Sequence, residues 1–149
     1  MKPPSRLAWM AEVPAVVPEA ATARVLYADT DAMGIVYHAS YLRYLELGRV
    51  ELLRAAGLPY VRLESVGLGL PLTDLQVHFE SPARYDETLV LRVGLVEATR
   101  VRVGFGYRVE VAGRAILVAR TRHCCVQRAD ARPARLPVDV WQLLHGLVV

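Results

Sequence analysis

Long apolar runs are missing from this chain of 149 residues. A helix needs about 18 uninterrupted apolar residues to cross a bilayer, and none occurs, so no membrane span is expected. The stretch Leu7-Ala8-Trp9-Met10-Ala11 is apolar, but Glu12, Pro14 and Pro18 follow closely. It therefore lacks the clean hydrophobic segment of a signal peptide and reads as a loosely ordered extension. Cysteine is scarce: Cys124 and Cys125 are the only two, and they are adjacent. Neighbours on a strand point to opposite faces, so a bridge between them is geometrically poor. No second cysteine pair completes a zinc site, and His38, His78, His123 and His145 show no ligand spacing. No metal or other cofactor is expected. The cysteines read as small buried hydrophobes in a reducing cytoplasm. Lysine is nearly absent too, with Lys2 alone. Arginine therefore carries the positive charge, and the net is 18 − 15 = +3. The arginines are spread along the chain, without a basic stripe interleaved with aromatics, so no nucleic-acid partner is expected. Solvated faces account for most of them; some suit an anionic substrate. There is no internal repeat.

What is present is a folded domain: 54% of residues are apolar, and the length supports one core. Residues 1–21 hold four prolines and no sustained period, which suggests an arm that docks on a neighbour. Residues 22–28 read as a short strand. From Ala39 to Ala56 the pattern is helical, with Tyr41, Leu45, Gly48, Leu52 and Ala56 on one stripe, widened by Leu42 and Leu53. Arg43 and Arg54 fall opposite. Gly48 in the stripe costs roughly 1 kcal/mol against alanine, which a close approach of helix to sheet would offset. Gly57 and Pro59 end the helix, and a second short helix fits 59–66. After Gly67 and Gly69 the period shifts toward two. Strands are predicted near 71–79, 88–98, 101–111 and 115–126, joined by tight turns at Thr99-Arg100 and Ala112-Gly113-Arg114. Consecutive strands with short turns predict an antiparallel meander. One long helix followed by such a meander implies a sheet wrapped around the helix, an α+β fold. A polar, proline-containing linker at 128–137 leads to a short helix at 138–146.

Between the first strand and the long helix lies the stretch with the most chemistry, Y-A-D-T-D-A-M-G-I-V-Y-H-A-S-Y, residues 27–41. Asp29 and Asp31 sit two residues apart, then Gly34, then His38 where the helix would begin. A carboxylate near a helix N-terminus meets the positive end of the macrodipole and free N–H groups. Those N–H groups can also polarise a substrate oxygen. The plainer alternative for either aspartate is an Asx turn or helix cap.

The run D-T-D-x-x-G-x-V-Y-H-A-S-Y, with Glu46 and Arg49 on the helix, resembles the hotdog-fold acyl-CoA thioesterases of the 4-hydroxybenzoyl-CoA thioesterase family. Within it, the Tol–Pal-associated branch is the nearest match. The resemblance spans about residues 22–128, leaving 1–21 as an extension and 129–149 as a tail. It implies a hotdog fold and hydrolysis of acyl-CoA to a free acid and coenzyme A. It assigns Asp31 as the catalytic carboxylate, a nucleophile or a general base, with a backbone N–H near His38 as the oxyanion donor. The His38 side chain is a helper candidate, or simply packs. Tyr27 matches a tyrosine that would orient the carboxylate; otherwise it is a core strand residue. Asp29, Gly34, Val36, Tyr37, Glu46 and Arg84 are placed around the substrate. For Asp29 a loop-positioning role competes. For Gly34, close approach to a ligand and positive φ are both open. For Glu46 a helix-surface pair with Arg49 is the alternative. Arg84, in Ser81-Pro82-Ala83-Arg84, would meet a coenzyme A phosphate or an active-site acid, or stand as an exposed turn arginine. The resemblance also implies a homo-oligomer, a dimer or a dimer of dimers (a homotetramer). Met33 departs from the family pattern at the acyl pocket, and the extension before residue 22 is longer than the motif requires. Two other functions fit the same fold: a non-catalytic acyl-binding scaffold, and a thioesterase for acyl-carrier protein.

Overall fold

The structure, a computed structural model, describes residues 8–149. It contains strands β1 (Glu19–Arg24), β2 (Leu68–Gly69), β3 (Leu72–Phe79), β4 (Thr88–Ala98), β5 (Arg102–Val111), β6 (Arg114–Cys124) and β7 (Val126–Gln127). The helices are α1 (Tyr41–Ala55), α2 (Tyr60–Ser65) and α3 (Val138–Gly146). Five strands form one antiparallel sheet in the order β1-β4-β5-β6-β3, and β2 pairs with β7 apart from it.

The period of two explains which face each residue takes. On β4, Leu89, Leu91, Val93 and Leu95 are buried; across the ladders they line up with Phe105, Tyr107, Val109, Leu117 and Ala119. These residues make the concave face against which α1 lies. From α1, Tyr41, Tyr44, Leu45 and Leu53 are buried. Gly48 is where the two layers come closest: a Cβ there would stand 2.7 Å from Val93 Cγ2 and 3.6 Å from Leu91 Cβ. The expected close approach is present. Gly48→Val should cost about 2 kcal/mol, because overpacking of ~1–3 kcal/mol outweighs the gain in helix propensity. Urea unfolding would measure it; an unchanged midpoint would show that the sheet yields freely. This long helix held in a curved antiparallel sheet is the hotdog arrangement.

Several expectations need correction. The first strand occupies Glu19–Arg24, not residues 22–28, because Tyr27–Asp29 winds into a 3-10 turn. The meander holds only for β4-β5-β6. β3 pairs with β6, with Leu75 opposite Thr121 and His78 opposite Val118, so the chain crosses from one side of the sheet to the other before β4. That leaves β3 as an edge, with Leu72, Leu75 and Phe79 exposed. Leu42 is exposed as well, turned toward Leu72 and Leu75 instead of widening the buried stripe. Of the two cysteines only Cys125 is buried.

Residues 8–18 dock on the chain's own sheet. Val13 and Val17 are buried with Val118 on the convex face. There Gly94 and Gly106 make room: a Cβ on either would lie 3.0–3.1 Å from the Val13 or Val17 methyls. Arg108 fixes the arm by donating from Nε to Pro14 O (2.6 Å) and from Nη2 to Val13 O (3.0 Å). Residues 1–7 of the expected arm lie outside the described residues. At the other terminus α3 buries Val140 and Leu144, and the Trp141 indole N–H donates to Ala98 O at 3.3 Å. The 3-10 turn at His38–Ser40 leads directly into α1, so the acidic stretch ends at a helix start held by the core.

Candidate active site

Residues 25–40 form a loop fixed at three points, and Asp29 is the first. Its side chain is 2% exposed. One carboxylate oxygen accepts from Leu26 N (3.1 Å) and from the Tyr44 hydroxyl; the other pairs with the Arg43 guanidinium. Its carbonyl accepts from Tyr37 N at 2.8 Å. Burial pushes the Tyr44 phenol up from its usual range, which suits a neutral donor. Both oxygens of Asp29 are thus committed inward. It anchors the loop on α1, in keeping with the loop-positioning alternative. Arg43, expected on the solvent side, is exposed along its stem and reaches this acid with its tip.

The second fixed point is the turn at Asp31. Its N–H donates to Ile35 O (2.9 Å), and its Oδ1 accepts from Met33 N (2.8 Å). This is an Asx turn. Gly34 closes it with φ +74, and a Cβ added there would meet nothing within 4 Å. The glycine therefore serves the left-handed backbone conformation, and no protein atom crowds it. Third, Val36 N donates to Ala83 O (2.8 Å) and the Tyr41 hydroxyl accepts from Ala83 N (3.3 Å), which ties the loop to the crossover 80–87.

Between these segments lies a cleft of about 420 Å³. Asp31 and His38 line it against apolar walls from Met33, Val36, Tyr41 and Phe79. Asp31 Oδ1 is committed to Met33, while Oδ2 accepts no hydrogen bond among the described residues. Ser40 N donates to Tyr37 O (2.8 Å), whereas the His38 and Ala39 amides open the helical segment, where N–H groups lack intrahelical partners. The carboxylate, the imidazole and the start of the helix therefore border one space.

Other predicted residues fall elsewhere. Tyr27 is 78% exposed, and its ring packs edge-on against Tyr85, with centroids 5.7 Å apart at 83°. The 3-10 turn swings it out of the strand, which corrects the alternative of a core strand residue, and leaves it outside the lining of the cleft. Tyr37 is exposed outside the cleft, its ring centroid 4.3 Å from that of His38. Glu46 borders smaller cavities further along α1, not the cleft. It makes no ion pair with Arg49 among the described residues; Arg49 instead turns inward beside Tyr60 and Tyr107. Arg84 donates from Nη1 to Gly34 O at 3.5 Å, across the back of the Asp31 turn. Reading the sequence missed Phe79 and Glu80 as cleft residues. Both lie where β3 ends, and only the crossover brings that end beside the loop.

A buried polar chain runs beneath the helix. Tyr107 and Thr121 hydroxyls share a 2.8 Å bond, His123 Nε2 lies 3.0 Å from Thr121 Oγ1, and His123 Nδ1 lies 3.0 Å from Leu70 O. Burial, aided by the Arg49 charge, lowers the His123 pKa from 6.5 to about 4. The unfolded chain then binds the extra proton between pH 6.5 and 4, so stability falls as the pH drops through that window. The loss should reach roughly 3 kcal/mol below pH 4. Urea melts across this range would check it, with His123→Gln flattening the slope; equal slopes would exclude His123 as the source.

A long helix wrapped by an antiparallel sheet is the hotdog fold. The profile of the thioesterase-like superfamily matches residues 25–144. The acyl-CoA thioester hydrolase YbgC of Escherichia coli O6:H1 is 30% identical over 118 residues, covering 78% of this chain and 88% of that one. A hypothetical protein from Thermus thermophilus has the same fold, with TM-score 0.83 and 39% identity over 87% of this chain and 99% of its own. The DHNA-CoA thioesterase from Staphylococcus aureus superposes with TM-score 0.80 at 25% identity, covering 85% of this chain and 87% of that one. The chain belongs to the thioesterase-like superfamily, and thioesterase is its enzyme class. No helix among the described residues is long and apolar enough to cross a membrane.

Proposed function

We propose that this protein hydrolyses acyl-CoA thioesters to a free acid and coenzyme A, with Asp31 as the catalytic carboxylate. The observation that carries the proposal is Asp31 facing, with His38, an apolar cleft at a helix start. The walls suit an acyl group, and the amides of His38 and Ala39 suit the oxygen of a polarised thioester carbonyl. As a general base, Asp31 takes a proton from water through Oδ2; the water oxygen bonds to the carbonyl carbon, the carbon–sulfur bond breaks, and the thiolate of coenzyme A leaves to be protonated. As a nucleophile, the same oxygen bonds to the carbonyl carbon and expels the thiolate of coenzyme A, which is protonated; water then hydrolyses the mixed anhydride, releasing the free acid and restoring the Asp31 carboxylate. The motif run supports placing the protein in the Tol–Pal-associated branch. Two free cysteines suit the reducing cytoplasm.

We infer also that the enzyme is a homo-oligomer. The exposed edge β3 offers an unpaired ladder with Leu72 and Leu75, and Phe79 at its end lines the cleft. A second copy pairing there would complete the site, as a dimer or a dimer of dimers. Sedimentation should give no monomer at micromolar concentration. A panel of acyl-CoA and acyl-carrier-protein thioesters with thiol detection tests the activity. Release from acyl-CoA is expected; binding of acyl-CoA without thiol release would mean a scaffold, and release from the carrier alone would move the substrate class.

A further inference from the structure

We propose that Glu80 keeps carboxylates out of the cleft, so that the free-acid product is expelled and only acyl groups without an anionic end are admitted; this rests on the acyl-CoA reading above. Hydrolysis changes the charge of the acyl group. A neutral thioester becomes a free acid, which gives up a proton to water and leaves as a carboxylate. Apolar walls hold the same chain in substrate and product, so they do not tell the two apart. Charge does, because specificity is a difference between two affinities.

Two carboxylates line the cleft, Asp31 from the loop and Glu80 from the first position after β3. Glu80 is exposed, and its side chain makes neither a hydrogen bond nor an ion pair among the described residues. Its backbone, by contrast, is fixed. Glu80 N donates to Ile116 O at 2.8 Å, and Ser81 N donates to the same carbonyl at 3.3 Å. Ser81 Oγ donates to Ala115 O at 2.5 Å, and Arg114 Nη1 donates to Ser81 Oγ (3.0 Å) and Pro82 O (2.6 Å). On the other side of Glu80 the Phe79 ring packs on Tyr41, with centroids 5.6 Å apart. Anchored neighbours therefore hold Glu80 at the cleft, while its carboxylate serves no contact of the fold.

No cation answers this charge. The lining holds no arginine or lysine, and His38 is its one basic side chain. Arg114 donates from Nη2 to both carboxylate oxygens of Glu87, at 3.1 and 3.2 Å, and Arg84 turns to Gly34 O across the back of the Asp31 turn. Glu80 thus adds a second negative charge to a space walled by Met33, Val36, Tyr41 and Phe79. Such walls displace water, and charges beside them act more strongly on one another than in bulk solvent. A carboxylate in the cleft, whether a new product or the far end of a dicarboxylic acyl group, meets two like charges. An uncharged acyl group meets only the walls.

The test titrates hexanoate and hexanamide, a charged and a neutral form of one chain, calorimetrically into the whole protein. Wild type should favour the amide. Glu80→Gln, which keeps the shape of the side chain, should narrow that preference about tenfold, and Glu80→Lys should narrow it further. Glu64→Gln, which removes an acid on α2 outside the cleft, should leave it alone. In kinetics, the ratio of kcat/KM for the hexanoyl over the adipoyl thioester of N-acetylcysteamine should fall about tenfold in Glu80→Gln. Ratios cancel any effect of a substitution on folding or turnover. An amide preference that is the same in wild type, Glu80→Gln and Glu80→Lys overturns the proposal, as does failure of wild type to bind either ligand. A preference that narrows as expected, without turnover of either thioester, would support the barrier to anions and remove the hydrolase reading.

Discussion

Asp31→Asn is expected to cut acyl-CoA hydrolysis by about 10²–10⁴-fold, the usual worth of a positioned acid–base group. The substitution keeps the shape of the side chain and an oxygen to accept from Met33 N, the 2.8 Å bond that closes the turn. It removes the charge and basicity of the oxygen facing the cleft. Folding should be nearly unchanged, because Asp31 is half-buried and its backbone bonds to Ile35 and Gly34 remain. The loss should appear in kcat, with KM little altered, since the apolar walls still hold the acyl group. Steady-state thiol release by both proteins, with circular dichroism as the folding control, gives the answer. Equal kcat values would move the catalytic group elsewhere in the cleft, to His38 or Glu80.

Asp29→Ala should act two residues away and by a different route. The buried carboxylate satisfies the Tyr44 hydroxyl and Leu26 N, and it pairs with Arg43. Arg43 is 67% exposed in its side chain and can turn to water, so its loss counts for little. The Tyr44 hydroxyl and the Leu26 amide are left without a partner near the core, at ~1–3 kcal/mol each. Together they give a destabilisation of about 2–6 kcal/mol. The loop from Leu26 to Tyr37 also loses its anchor, so activity should fall with stability. Tyr44→Phe removes only one donor and should cost less than half as much. Urea unfolding with paired activity assays separates the two contributions; full activity in a destabilised Asp29→Ala protein would show that the loop holds Asp31 without this anchor.

Much of the fold is readable from local patterns. The period of two places β3 to β6 within a residue or two of their ends, and the helical period places α1, α2 and α3. Gly48 announces the close approach because a glycine in a buried helical stripe has few other uses. What sequence spacing cannot carry is the order of strands across the sheet. The β3–β6 pairing joins residues 38 (Phe79 with Leu117) to 51 (Leu72 with His123) apart and depends on which edges remain free. The same limit hid Phe79 and Glu80, which reach the cleft only through the crossover. The two aspartates show a local limit. Their spacing of two does not separate them, and only the resemblance favours Asp31; the 3-10 turn at Tyr27–Asp29 sends the Asp29 carboxylate inward, while Asp31 lines the cleft. That turn also decides the direction of Tyr27, which the strand pattern alone assigned to the core.

The N-terminal arm has a practical corollary. Val13 and Val17 rest on a convex sheet surface where Gly94 and Gly106 leave shallow, side-chain-free ground. A shortened version starting at β1, near residue 19, would strip that lid, bare Val118 and leave the Arg108 guanidinium without the carbonyls of Val13 and Pro14. Such a truncation would lower stability through the far side of the sheet while leaving every cleft residue in place.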